Sequence, residues 1–436
     1  MIDATTAPLL LAGVPLLGAA FSFAAWTKPD HLRSWSVIVS IISLAAAAGV
    51  SRYLATPPEG WLLVYLLPVA ASASLLGQPV HHTHRPSWFL TLVLLGLGLG
   101  ILTSQNLLGQ ICLLLLVSLT AALLYRHHTQ LWPISWWGIG TYGLAALSVG
   151  VSIVAGLPFS SFTSLLAWAI LLPLVPFHDG YVTALTRLPG SLPSFIVLLF
   201  PAIGLHGLAS VISTVPDTVA WTVSLFALAG TLYGATKALA QSRARLLMSY
   251  GSLSLHSMLW WFVATNRAAT TRAAVFVGAV SLTTSGLLLA WQVIRTRYGD
   301  DVDPQSISGL AATMPRYAVL ASLLALAAMG LPPFGLFAGF MGLLLSSAVL
   351  FSLAILIMVA AWLAASWYIM GMVQQWLFGP TRSDLRYTDL LDSELASLAM
   401  LAVVLLALGV IPATFFGPDT IVTASSIITG SFPWNK

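Results

Sequence analysis

Polar positions are so sparse along this chain that the lengths of its apolar runs come first. Runs near 5–26, 34–50, 60–78, 88–104, 106–125, 132–156, 161–182, 192–213, 218–240, 246–265, 271–294, 314–345, 348–370 and 395–416 each suit one helix crossing a hydrocarbon layer about 30 Å thick. They predict about 14 spans, the 314–345 run as one broken helix. Leu9 to Phe23 and Leu343 to Tyr368 are apolar on every face, whereas barrel strands alternate in polarity. Two runs are interrupted. The helix entering from Ser161 meets Pro173 and Pro176, then His178-Asp179-Gly180, and each proline removes an N–H and clashes with the preceding turn. Pro332 and Pro333, between Gly330 and Gly335, interrupt another run about 155 residues later, as internal repeats produce. Freed backbone groups persist in hydrocarbon only where protein or a wet cavity satisfies them, so the breaks predict a hydrated path.

Composition supports this and narrows the class. The chain of 436 residues is 58% hydrophobic and only 7% charged, against about a quarter charged in soluble domains. It reads as an all-α, multi-pass protein of the cell inner membrane. The first run lacks a basic leader and a small-residue cleavage site, so it reads as a retained span. The lone Cys112 excludes disulfides and cysteine-based metal or iron-sulfur sites within the chain. The formal charge of +4 is scattered over loops, which fits topology and not nucleic acid. Lys28, Arg33, Arg85, Arg126, Arg187, Arg243, Arg245, Arg295, Arg297, Arg382 and Arg386 occupy odd-numbered loops, and Arg52, Arg267 and Arg272 even ones. Both termini are then expected on the non-cytoplasmic side. The longest polar stretches are Arg295 to Gln305 and Gly379 to Glu394, the latter suited to lying on the membrane surface. The glycines at 95–100 have no strand-helix context for a nucleotide.

Charge within the bilayer is costly and therefore marks candidate chemistry. All 13 acidic residues fall in loops or termini except Asp179, at the first break. The remaining candidates for a proton path are mostly bases: His178 beside Asp179, His206 and His256 near the middle of their spans, and Lys237 with Gln241 and Arg245 at i, i+4 and i+8. Imidazoles titrate near neutrality and can relay protons, or they can simply join helices as neutral hydrogen-bonding groups. Lys237 can share a face with Arg245 if the helix continues, or it can snorkel to the interface. His81, His82, His84, His127 and His128 lie in two loops; metal ligation and docking of a partner or headgroup are both open. Trp132, Trp136, Trp137, Trp260 and Trp261 fit an aromatic belt at span ends. No catalytic constellation, resident metal or cofactor motif is evident.

Several stretches, in matching order and spacing, resemble the antiporter-like membrane subunits of respiratory complex I (the NADH-quinone oxidoreductase subunit L/M/N type), cation/proton antiporters and membrane-bound hydrogenases. They are Leu172-Pro-Leu-Val-Pro-Phe-His178, the segment Gln241 to Ser254, Gly309 to Arg316 with Gly330 to Gly339, and Ala407 to Pro412. The resemblance implies 14 helices, two inverted five-helix repeats each with a broken helix, and outward termini. It divides the chain into N-terminal helices at 1–80, repeats at 88–214 and 217–370, and a surface segment with the last helix at 371–436. The departures concern charge. The family's buried glutamate falls on Leu115, and its membrane lysines fall near Leu171 and Ala202; its charged residue after the second break falls near Phe340. His178, and Arg245 in place of lysine, are the positions that carry over.

These features imply a divergent, non-enzymatic subunit of a multisubunit complex-I-like assembly. It would couple proton or cation translocation to a partner's activity through a depleted relay, with redox chemistry in other chains. Two alternatives remain at this stage. One is the membrane partner of a soluble, zinc-dependent protein for inorganic carbon (CO2 or bicarbonate) uptake, with the loop histidines as docking surface. The other is a non-conducting structural subunit.

Overall fold

The computed structural model describes residues 6–50, 58–79, 85–104, 107–126, 135–154, 159–299, 307–346, 353–380 and 388–411. In chain order its α-helices are α1 (Thr6–Phe21), α2 (Pro29–Val50), α3 (Pro58–Leu76), α4 (Arg85–Thr103), α5 (Leu107–Arg126), α6 (Trp136–Val154), α7 (Phe159–Leu171) and α8 (Asp179–Arg187). They continue with α9 (Leu192–Val211), α10 (Asp217–Leu239), α11 (Ala244–Asn266), α12 (Thr271–Tyr298), the short α13 (Leu310–Thr313), α14 (Pro315–Ala328), α15 (Gly335–Ser346), α16 (Leu353–Leu377) and α17 (Asp392–Val410). Ten helices are long and apolar enough to cross a membrane. Adding α3, α11 and the interrupted pairs α7/α8 and α14/α15 gives the expected fourteen rods among the described residues. The first broken span runs on to Arg187, five residues past the predicted end, because α8 resumes after the prolines.

The core follows α12. This helix packs against α3, α9, α11, α14, α15 and α17, and its whole apolar stretch is buried; a helix apolar all round has no solvent-facing stripe to present. Side chains such as Leu147, Val154, Trp221, Leu353 and Trp367 are exposed on the periphery, where lipid replaces water as the surrounding solvent. Trp136 and Trp137 are likewise exposed. Trp260 is not part of a belt: it is fully buried, against expectation.

Polar contacts identify the two ends of the bundle. At one end the starts of α4 and α9 meet the end of α3, where Gln78 Oε1 accepts hydrogen bonds from the Ser87 and Ser191 hydroxyls at 2.9 and 2.6 Å. At the same end Arg297, closing α12, forms a two-pronged ion pair with Glu394 at the start of α17, with N–O distances of 2.7 and 2.6 Å. Both side chains are buried. Sequence alone placed Glu394 in an exposed polar stretch; burial is possible because the pair satisfies both charges. At the opposite end Arg267, just after α11, reaches the Val215 carbonyl and, at 3.3 Å, Asp217, the first residue of α10.

The two breaks share a hydrogen-bond pattern. Leu172 N donates to Trp168 O and Leu174 N to Ala169 O; at an offset of 157 residues by position, Met329 N donates to Ala325 O and Leu331 N to Leu326 O. The freed carbonyl after each helix is also met: Trp260 Nε1 donates to Leu172 O at 2.9 Å, and the Ser366 hydroxyl to Met329 O at 3.3 Å. Close backbone approach needs glycine at both places. A Cβ at Gly204 of α9 would meet Leu172 N at 2.4 Å, and one at Gly409 of α17 would meet Pro333 O at 1.9 Å.

Candidate functional site

The first break places an imidazole inside the protein. His178 ends the seven-residue interruption between α7 and α8 and is buried. Its Nε2 lies 3.6 Å from Asp179 Oδ1, and the Asp179 side chain is 41% exposed, so the carboxylate keeps contact with solvent-accessible space. Prolines at 173 and 176 stop the helix and leave these residues to start a new one; Asp179 falls in the first turn of α8, where the helix dipole favours an anion.

Around this pair stand Lys237, already a candidate from the sequence, and two tyrosines that the sequence did not single out. The Tyr233 ring meets His178 edge to face at 5.0 Å, Tyr250 meets Tyr233 at 6.1 Å, and the Lys237 ammonium lies 5.7 Å from the Tyr233 centroid. Lys237 is exposed in the last turn of α10. The result is a series from an exposed ammonium, through the Tyr233 phenol with Tyr250 at its side, to a buried imidazole and its carboxylate.

The expected Lys237–Gln241–Arg245 stripe is absent. Helix α10 stops at Leu239 and α11 begins at Ala244, so the three positions do not share a helical face. Arg245 serves a different junction: its guanidinium donates to Thr186 O at the end of α8 and to Gln292 Oε1 of α12, both at 3.2 Å.

A second group continues inward from α8. Tyr181, two residues after Asp179, shares a 3.0 Å hydrogen bond with Ser252 and meets the His256 ring edge to face at 6.0 Å. His256 Nε2 lies 3.3 Å from the Ser281 hydroxyl of α12. All four are buried. Ser252 also lines a cavity of about 20 Å³ together with Thr283, Thr284, Tyr368 and Ala328, a space of the size that holds one water. This cavity links the α8–α11 contact to the helix preceding the second break.

His206 stands apart from both groups. It lines a larger cavity at the other end of α9 with Trp168 and several hydroxyls. The loop histidines 81, 82, 84, 127 and 128, and Trp132, lie outside the described residues. Among the described residues no group of three histidine, cysteine or acidic side chains comes together as a metal site.

Tyrosines 181, 233 and 250 were missed because a phenol in an apolar run carries no periodic signal. Their positions around the proline break, on α8, α10 and α11, become meaningful only once those helices are packed.

The second break has no equivalent chemistry. At the same offset of 157, His178 corresponds to Gly335 and Asp179 to Leu336. A Cβ at Gly335 would meet Leu408 Cβ at 2.6 Å, so α17 occupies the space an imidazole would need.

Comparison with known proteins agrees with this architecture. A family model described as NADH:quinone oxidoreductase/Mrp antiporter, TM, matches residues 136–367, more than half of the chain. NADH-quinone oxidoreductase subunit N 2 of Hydrogenobaculum sp. is 25% identical over 286 residues, covering 63% of this chain and 61% of that protein. NADH-quinone oxidoreductase subunit M of Pseudomonas aeruginosa is 28% identical over 257 residues, covering 56% and 49%. The chain thus spans about half to three-fifths of the length of these curated relatives. Among solved structures, a chain of respiratory complex I from Thermus thermophilus with bound NADH superposes with a TM-score of 0.78 at 18% identity, covering 94% of this chain and 96% of that one. A chain of the membrane-bound sulfane sulfur reductase, an archaeal respiratory membrane complex, gives 0.77 at 16%, covering 92% and 76%. At such identities these two likenesses establish the fold.

Proposed function

Because the chain belongs to the NADH:quinone oxidoreductase/Mrp antiporter transmembrane family, we propose that it is a membrane subunit of a complex-I-like assembly that couples proton or cation movement to its partner chains. The observation that carries this reading is the buried His178 at an interrupted helix, bracketed by Asp179 on one side and by Tyr233 and Lys237 on the other. Protons are the better cargo, since the path is made of imidazole, phenol and hydroxyl groups that can pass a proton by hydrogen-bond exchange, whereas a desolvated metal cation needs several oxygen ligands held together.

In this scheme Lys237 and Asp179 collect protons at the end of the bundle that carries Arg187, Arg243 and Arg295. His178 exchanges with them, and Tyr181, Ser252, His256 and Ser281 continue the route toward α12. Arg245 positions the end of α8 by holding the Thr186 carbonyl. The clustering of arginines at that end supports its cytoplasmic orientation and outward termini. The recurring hydrogen bonds at the two breaks support inverted repeats, α4 to α9 and α10 to α16, which overrun the expected ranges 88–214 and 217–370 by a few residues at Arg85 and Leu377.

The non-conducting alternative draws on one observation: Glu394 is buried only as the partner of Arg297, so among the described residues no fully buried carboxylate is left to carry charge. The inorganic-carbon reading depends on the loop histidines and on a soluble partner.

The deciding measurement is proton flux, read by a pH-sensitive dye in proteoliposomes holding the purified complex. His178→Ala, Asp179→Asn and His256→Ala should each slow flux while the complex stays assembled. Wild-type rates in all three would leave the structural role standing.

A further inference from the structure

The cavity beside His206 is separate from the series just described and lies at the opposite end of the bundle. It has a volume of about 230 Å³, enough for several waters. Its polar lining comes from five helices or their flanks: Ser104 just after α4, Gln110 of α5, Ser152 of α6, Ser164 and Trp168 of α7, and His206 and Ser210 of α9. Gln110, Ser152, Ser164 and Ser210 lie close to helix ends on one side, and Ser210 is exposed. His206 is one turn deeper, about 6 Å along α9 from Ser210, and is 93% buried, its relative exposure being 7%.

Two features show that this space is made for polar occupants. Among the described residues, neither His206 Nδ1 nor Trp168 Nε1 has a hydrogen-bond partner, although both atoms are shielded from solvent. The Ser152 and Ser210 hydroxyls donate to Val149 O and Gly207 O at 2.8 and 2.7 Å, and each retains acceptor capacity. An apolar void would stay dry. A cavity offering donors and acceptors from several helices, with orphan imidazole and indole nitrogens at its inner wall, binds water.

Its floor is the first break. Gly207 brings α9 against the Trp168 ring, and Gly204, one turn earlier, touches the Leu172 backbone whose carbonyl is held by Trp260. Among the described residues lining the cavity, His206 is the only ionisable one, so any proton bound there is held without a neighbouring charge to stabilise or repel it.

We propose that this cavity is an aqueous vestibule that joins His206 to the face at which α9 ends, making His206 the proton-accepting group for that face, while Lys237 and Asp179 serve the other. The ligand class is the proton, delivered through bound water. The proposal deepens the conduction reading and rests on it for its role in transport; access of water to the cavity does not depend on it.

The test separates the two. In a Cys112→Ser background of the intact complex, Ser210→Cys and Ser164→Cys are reacted with a charged, membrane-impermeant methanethiosulfonate in vesicles of each orientation, with Lys237→Cys as the marker for the opposite face. Labelling of Ser210→Cys and Ser164→Cys from the face opposite to Lys237→Cys, together with loss of Ser164→Cys labelling when Ser210 is also replaced by phenylalanine, supports the vestibule. No labelling from either face in assembled complex, or labelling from the Lys237 face, overturns it. Leu147→Cys, on an exposed apolar position near the middle of α6, reports reaction from lipid; labelling there equal to that at Ser164→Cys also overturns it. Flux is then read separately: labelled cavities in a complex with no flux keep the vestibule and remove conduction, and flux slowed by His178→Ala with unlabelled cavities does the reverse.

Discussion

Trp260→Phe tests whether the break in the first interrupted helix is held by a single indole. The Trp260 Nε1 proton is the donor for Leu172 O, the carbonyl left without a helical partner because Pro176, four residues on, has no N–H. Phenylalanine keeps an aromatic ring but removes the donor, leaving that carbonyl with nothing in its place at a depth where water is scarce. An unsatisfied buried acceptor costs about 1–3 kcal/mol. The smaller ring leaves a cavity with its own cost, and Trp88→Phe measures that part. Trp88 is also fully buried, yet its Nε1 makes no hydrogen bond among the described residues, so its replacement breaks no hydrogen bond; it changes volume and removes an unpaired donor, which only lowers its cost. Trp260→Phe should therefore cost at least about 1–3 kcal/mol more than Trp88→Phe, or roughly 5- to 150-fold in the folding equilibrium. Reversible denaturation of the purified protein in mild detergent, followed by tryptophan fluorescence, provides both values. Equal losses at the two positions would refute the reasoning and mean that water, not Trp260, satisfies the break.

Three other substitutions follow from the same structure. Glu394→Leu should destabilise by about 3–5 kcal/mol because it strands the Arg297 charge, and adding Arg297→Met should recover most of that in the same denaturation assay. Gly330→Ala should cost more than the about 1–2 kcal/mol of a left-handed residue, since φ is +70° and the new Cβ would lie 1.7 Å from the Trp362 ring; Trp362→Ala should return only the steric part. Tyr181→Phe should slow proton flux with a stability change of about 1 kcal/mol, as one buried hydrogen bond to Ser252 is lost; unaltered flux would take Tyr181 out of the route.

Much of the scaffold was legible because membranes reward long apolar runs and prolines stop helices regardless of context. Pro173, Pro176, Pro332 and Pro333 located both breaks, and His178 with Asp179 emerged as the charged pair beside one of them. The end of the broken span at Arg187 was less legible, since α8 carries polar residues that a hydropathy window reads as a loop. The Lys237–Arg245 stripe failed for a related reason: spacing assumes a continuous helix, and the turn around Gln241 and Ser242 rotates one residue away from the other. Tertiary proximity accounts for the remaining surprises. Nothing in Trp260, Tyr233 or Ser281 taken singly distinguishes a partner for a carbonyl or an imidazole from ordinary core filling.

The mismatch between the breaks bears on stoichiometry. Position 335 cannot accept an imidazole without displacing α17, so each copy of the chain offers one titratable hinge instead of two. Under the proposed conduction, the number of protons moved through such hinges in an assembly scales with how many copies it contains, and the second interrupted helix is left to bend or brace without taking up charge of its own.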